Sequence, residues 1–136
     1  MTQTTFESEG AGPILSPTWT FIEQALPLIT PRGPGFFILS HPDGSYVQTA
    51  GARLRLIIEY RQIRSDGTFA HYVLGKHTTD ALHWSQINSS VGFINLLRNE
   101  ILTAKDALTV FRSFYQDGTI TPEYHLRDVT AMFLEP

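Results

Sequence analysis

The chain has 136 residues, no cysteine, and 10 Lys and Arg against 13 Asp and Glu, a formal charge of −3. That length suits one domain able to bury a substantial core, to which nine Phe, five Tyr and two Trp contribute. The missing cysteine excludes disulfides, thiol catalysis and thiolate metal sites, and the negative balance gives no global attraction for nucleic-acid phosphates, so no nucleic-acid partner is expected.

Residues 1–12 are small, polar and unpatterned, and predict a flexible leader ahead of one α+β domain over 13–136. No basic entry region followed by an apolar signal core occurs at the amino terminus, and no apolar run reaches membrane-spanning length. A cytoplasmic protein with no membrane partner is therefore the expectation. Ser16-Pro17 predicts a helix entrance, because Ser can satisfy exposed amide donors and Pro suits the first helical position. Trp19, Ile22 and Leu26 would form its buried stripe, and Pro27, Pro31, Gly33, Pro34 and Gly35 would end it.

From Phe36 onward, apolar runs alternate with the turn pairs Asp43-Gly44 and Asp66-Gly67. Strands are predicted over 36–40, 45–49, 54–62 and 69–74, and the short connections favour an antiparallel meander. In the third of them Leu54, Leu56, Ile58 and Tyr60 share one face, with Arg53, Arg55, Glu59 and Arg61 on the other, which reads as a largely solvated surface. The stretch 76–92 reads as a polar connection in which Ala81, Leu82, Trp84 and Ile87 need cover, and 93–98 as either a strand or a helix start. Thr103 and Asp106 predict the cap of an amphipathic helix carrying Ala104, Ala107, Leu108, Phe111, Phe114 and Tyr115, with Asp117-Gly118 as its exit. Residues 124–134 would return as a terminal strand packing Leu126, Val129 and Phe133. The fold class is thus α+β: an antiparallel β-meander packed against an N-terminal helix and a C-terminal amphipathic helix.

Catalytic signatures are sparse. Glu59 and Arg61 share a strand face, and His71 on the next strand is within reach of them, so this trio could supply a carboxylate, a cation and a base. A cross-strand ion pair with a packed histidine explains the same residues without chemistry. Tyr60 points to the opposite face, which counts against a catalytic cluster with Glu59. His77, Asp80 and His83 offer metal-ligand atoms on a predicted loop, but their spacing is not that of an HExxH helix, and His41 and His125 add no pattern; no metal or cofactor is expected. Ser45, Ser65, Ser89 and Ser90 lie near turns without a GxSxG elbow, and GPGFF lacks the ending of a phosphate-binding loop. Phe111, Phe114 and Tyr115 follow helical spacing and read as core. Trp84, in a polar stretch, is harder to place in a core; partial burial beneath the connection is the favoured reading, and an exposed anchor for a protein partner is the alternative.

Tyr46-Val47-Gln48-Thr49-Ala50-Gly51 followed by Ile58-Glu59-Tyr60-Arg61, then Asn99-Glu100-Ile101-Leu102 ahead of a helix closed by Gly118, resembles small α+β immunity proteins of bacterial polymorphic toxin systems. The resemblance spans most of 36–127 and implies a protein that binds a cognate toxin and blocks its active site without performing chemistry itself. Trp84, Glu59, Asp80 and Glu100 are then the candidate contacts. The alternatives are a small pocket-containing enzyme or ligand-binding protein using Glu59, Arg61 and His71, and a homodimeric structural module associating through a sheet edge or the Trp84 surface.

Overall fold

In the computed structural model, which describes residues 3–134, an amino-terminal hairpin comes first: β1 (Thr5–Ser8) and β2 (Ala11–Leu15). Helix α1 (Trp19–Ala25) leads to four strands, β3 (Phe36–Ser40), β4 (Tyr46–Ala52), β5 (Arg55–Ile63) and β6 (Phe69–Lys76). A second hairpin, β7 (Trp84–Ser89) and β8 (Gly92–Leu97), precedes helix α2 (Ala104–Asp117), strand β9 (Tyr124–Asp128) and a 3-10 turn, Thr130–Phe133. Seven strands form one sheet in the order β2-β1-β3-β4-β5-β6-β9, every neighbouring pair antiparallel, while β7 and β8 pair with each other. The protein is therefore α+β with antiparallel sheet, and β3 to β6 are the meander. No helix among the described residues is long and apolar enough to cross a membrane.

The period-2 alternation of β5 divides the two sides of the sheet. Leu56, Ile58 and Tyr60 join Leu39, Val47 and Leu74 in a core that Ile22 and Leu26 at the first helix and Val110, Phe111 and Phe114 of α2 complete. Burial of these large side chains is the main favourable contribution to folding, at about 25 cal/mol per Å² of apolar surface removed from water. On the other side Ile57 and Val73 meet Ile87 of β7 and Leu96 of β8 in a smaller core with Val129. The face expected to be largely solvated is thus half covered, because β7 and β8 lie across it. The 3-10 turn Arg98–Glu100 that follows β8 packs closely on β6 at Gly75, where a Cβ would stand 2.7 Å from the Asn99 side-chain nitrogen and 3.1 Å from Glu100 Cγ.

Four expectations are corrected. Residues expected as a flexible leader include β1, which pairs with β3 and buries Phe6 against Phe37, their rings stacked at 5.6 Å; a single large aromatic with a free strand edge beside it outweighs the polar composition around it. Helix α1 is capped by Thr18, whose Oγ1 accepts from the Phe21 N–H, and Ser16 sits outside it. The expected connection over 76–92 contains β7, and 92–97 is its partner strand. The terminal strand stops at Asp128, leaving Phe133 in the 3-10 turn and nearly half exposed rather than packed in strand register.

Helix α2 begins where Asp106 accepts from the Thr103 N–H at 2.9 Å and the Thr103 hydroxyl at 3.1 Å, satisfying a free amide near the positive helix end. Its other oxygen accepts from the Tyr124 hydroxyl at 2.8 Å, which ties α2 to β9. Burial opposes ionisation of Asp106, but these hydrogen bonds outweigh it and hold the carboxyl below its ordinary range.

Candidate functional site

Strand register assembles the polar cluster. Gln48 lies opposite Glu59 on the neighbouring strand, and Arg61 lies opposite His71, so all four side chains emerge on the same side of the sheet. Glu59 Oε1 is 2.9 Å from His71 Nε2, Gln48 Nε2 donates to Glu59 Oε2 at 2.8 Å, and Arg61 Nε donates to His71 Nδ1 at 3.0 Å. Because a guanidinium only donates, Nδ1 must accept, which places the imidazole proton on Nε2 and directs it at Glu59. The result is a chain from cation through neutral imidazole to carboxylate.

This chain is packed shut. His71 is 1% exposed, and its ring lies 4.3 Å from that of Phe133, centroid to centroid. The Arg61 guanidinium sits 4.2 Å from the Phe69 ring centre and 4.8 Å from that of Phe133, a cage that favours the cation through the ring quadrupoles. The 3-10 turn is strapped over them: the His71 N–H donates to Thr130 Oγ1 at 2.9 Å, and the Val129 N–H donates to the His71 carbonyl at 2.8 Å. Burial pushes the Glu59 carboxyl up, but hydrogen bonds from His71 and Gln48, together with the positive field of Arg61, leave it below the usual carboxylate range. The trio singled out in the sequence is therefore brought together, with both imidazole nitrogens occupied and no face of the ring open to a substrate. Tyr60 stands on the helix-covered side, as strand parity requires.

Beside the trio an open groove of about 580 Å³ runs between β8 and the 3-10 turn. Its floor is Ile57, Glu59 and Val73, and Trp84, Ile94, Met132 and Phe133 supply apolar walls. Trp84 and Met132 are 67% and 77% exposed, unusual for side chains of their size. Arg127 of β9 closes one end: its Nε and Nη2 donate to the two Glu100 oxygens at 2.7 and 2.9 Å, and its guanidinium carbon lies 5.4 Å from the Trp84 ring centre. Glu100 also accepts from the Leu97 N–H at 2.8 Å.

The four candidate contact residues fall in different places. Trp84 and Glu59 both line the groove. Asp80 is exposed in the loop 77–83, beside a second, polar cleft that includes His77 and His83. Glu100 is 1% exposed and belongs to the interior, where it anchors Arg127; it is corrected from surface contact to structural ion pair, because the 3-10 turn Arg98–Glu100 directs its carboxylate at the Leu97 N–H and the Arg127 guanidinium. His77 and His125 stand 6.0 Å apart ring to ring, and among the described residues no group of three or more His, Cys, Asp or Glu is placed to hold a metal ion. Ser45 and Ser89 act in turns: Ser45 Oγ accepts from the Ile63 N–H and the Ser89 hydroxyl donates to the Gly92 carbonyl.

Gln48, Arg127, Met132 and the cage around Arg61 were not singled out from sequence. Gln48 was detectable, since it sits across from Glu59 once β4 and β5 are paired. Arg127 and Met132 carried no local signal, because what matters about them is proximity to segments distant in sequence, Glu100 for Arg127 and Trp84 and Ile94 across the groove for Met132. Comparison with protein-family models, with curated proteins and with solved structures gives no match.

Proposed function

We propose that the protein is a non-catalytic protein-binding domain that works as an immunity protein does, neutralising a cognate toxin by occluding its active site in the cytoplasm. The observation that carries this reading is the open groove whose walls are large, exposed apolar side chains, Trp84, Met132 and Phe133, set among the polar groups Glu59, Asn95 and Arg127. An exposed apolar centre with a polar surround is the anatomy of a protein interface, and a rigid tryptophan is a frequent energetic anchor in one. The neighbouring Glu59–His71–Arg61 chain supports the same reading, because its hydrogen bonds are directed inward and its imidazole is sealed under Phe133.

The test is purification of the native complex, followed by recombinant production of the co-purifying protein. The reading expects a stoichiometric complex with the purified partner, loss of that partner's activity on binding, and weakening of the complex by Trp84→Ala. A partner-free protein that self-associates through the same tryptophan would favour the homodimeric module instead. Turnover abolished by His71→Ala in a folded variant would favour the enzyme.

A further inference from the structure

We propose that the groove receives a basic side chain of the protein partner, its alkyl stem lying against Trp84 and Phe133 and its cationic head meeting the Glu59 carboxylate; this rests on the protein-binding reading above. Charge complementarity selects this occupant. Two ion pairs occur among the described residues, His71 with Glu59 and Arg127 with Glu100. The second is closed on itself, since Arg127 donates twice to Glu100. The first is an ion pair only in name: Arg61 Nε occupies His71 Nδ1, so the ring is neutral and simply donates a hydrogen bond. Arg61 itself is held between Phe69 and Phe133 and does not line the groove.

Glu59 thus presents a carboxylate, its side chain 19% exposed, to an apolar groove with no cation bound directly to it. Each of its oxygens accepts one hydrogen bond from the protein and retains a second acceptor site. An apolar occupant would strip water from that carboxylate without replacing it, and an anionic occupant would be repelled. A lysine or arginine side chain satisfies the carboxylate, covers the apolar wall with its methylenes and places its charge near aromatic faces. A macromolecular source fits better than a free amine, because exposed apolar surface at Trp84 and Met132 extends beyond what a small amine would cover.

Two-dimensional amide NMR on the intact protein tests this with defined probes: n-hexylammonium, n-hexanol, n-hexanoate, and the peptide acetyl-Ala-Leu-Lys-Leu-Ala-amide beside its norleucine counterpart. The expected result is that hexylammonium and the lysine peptide shift the amides of Glu59, Val73 and Asn95, each binding about tenfold more tightly than its uncharged analogue, the increment of one charged hydrogen bond. Glu59→Gln should remove that selectivity, and Trp84→Ala should weaken both probes and analogues. Equal binding of hexanol or hexanoate in the wild type overturns the proposal without reliance on any variant. Binding of hexylammonium with none of the lysine peptide also overturns it and reassigns the groove to small amines. A purified partner whose affinity is unchanged by Glu59→Gln rejects the basic side chain while leaving the protein-binding reading intact; absence of any partner rejects both.

Discussion

Removing the Glu100 carboxylate should loosen the wall of the groove before it unfolds the protein. Glu100 is buried, and three hydrogen bonds converge on it, from Arg127 Nε, Arg127 Nη2 and the Leu97 N–H. Glu100→Ala leaves the Leu97 amide without its acceptor, which costs about 1–3 kcal/mol for a buried donor. It also removes the partner of Arg127, and breaking a buried pair costs about 3–5 kcal/mol when the remaining charge is trapped. Arg127 is 27% exposed and can turn towards water, so its charge is not trapped and its share falls well below that range, which leaves a total of about 3 kcal/mol. With an unfolding entropy near 2.1 cal/mol/K per residue, that lowers Tm by roughly 10 °C. Arg127→Ala should cost at least as much, because the charge it strands is the buried one. Urea denaturation with linear extrapolation gives the free energies, and amide hydrogen exchange at Leu97 gives the local effect. A loss below about 1 kcal/mol in both variants, with Leu97 still protected, would refute the structural role given to this ion pair.

Phe111→Ala, which empties a fully buried ring site between α2 and the sheet, should cost about 3–5 kcal/mol in the same denaturation assay; a change under 1 kcal/mol would mean the helix face is misassigned. Glu59 and Asp106 both have carboxyls held below their unfolded values, so their contribution to stability is complete above the unfolded carboxyl pKa, about 4, and is lost as pH falls through the lower folded values. Stability should therefore decline between about pH 5 and pH 2, and Glu59→Gln should flatten that decline; an unchanged slope in the variant would contradict the role given to the Gln48 and His71 hydrogen bonds. Tyr124→Phe should cost about 1–2 kcal/mol by removing the hydroxyl that Asp106 accepts from, with little change in the groove amides by NMR.

Local pattern was enough for the meander and for the shared face of Leu56, Ile58 and Tyr60, because turn pairs and period-2 spacing act over a few residues; Leu54, expected on that face, lies 73% exposed in the turn before β5. It was also enough to place Glu59, Arg61 and His71 on one face, since a single antiparallel pairing settles that. It failed for β1 and β7, where short polar-looking strands are stabilised by partners distant in sequence: Phe6 by Phe37, and Ile87 by the floor at Ile57 and Val73. The same cause hid the groove. Its walls come from Trp84, Ile94 and Met132, and only the crossing of β7 and β8 over the sheet shows that the second face of β5 is half core and half open surface. The inward position of Glu100 follows from hydrogen bonds to Leu97 and Arg127, which a charge read along the chain could not reveal.

Protein binding by the Trp84 groove is tested by isothermal titration of the purified co-isolating partner against the wild type and Trp84→Ala, after thermal melts establish that both are equally folded. Trp84 is already largely exposed in the free protein, so its removal should spare the fold while costing the complex at least about 2 kcal/mol, near a thirtyfold rise in Kd. Wild-type affinity retained by the folded Trp84→Ala variant would contradict protein binding at this groove and place the interface elsewhere on the molecule.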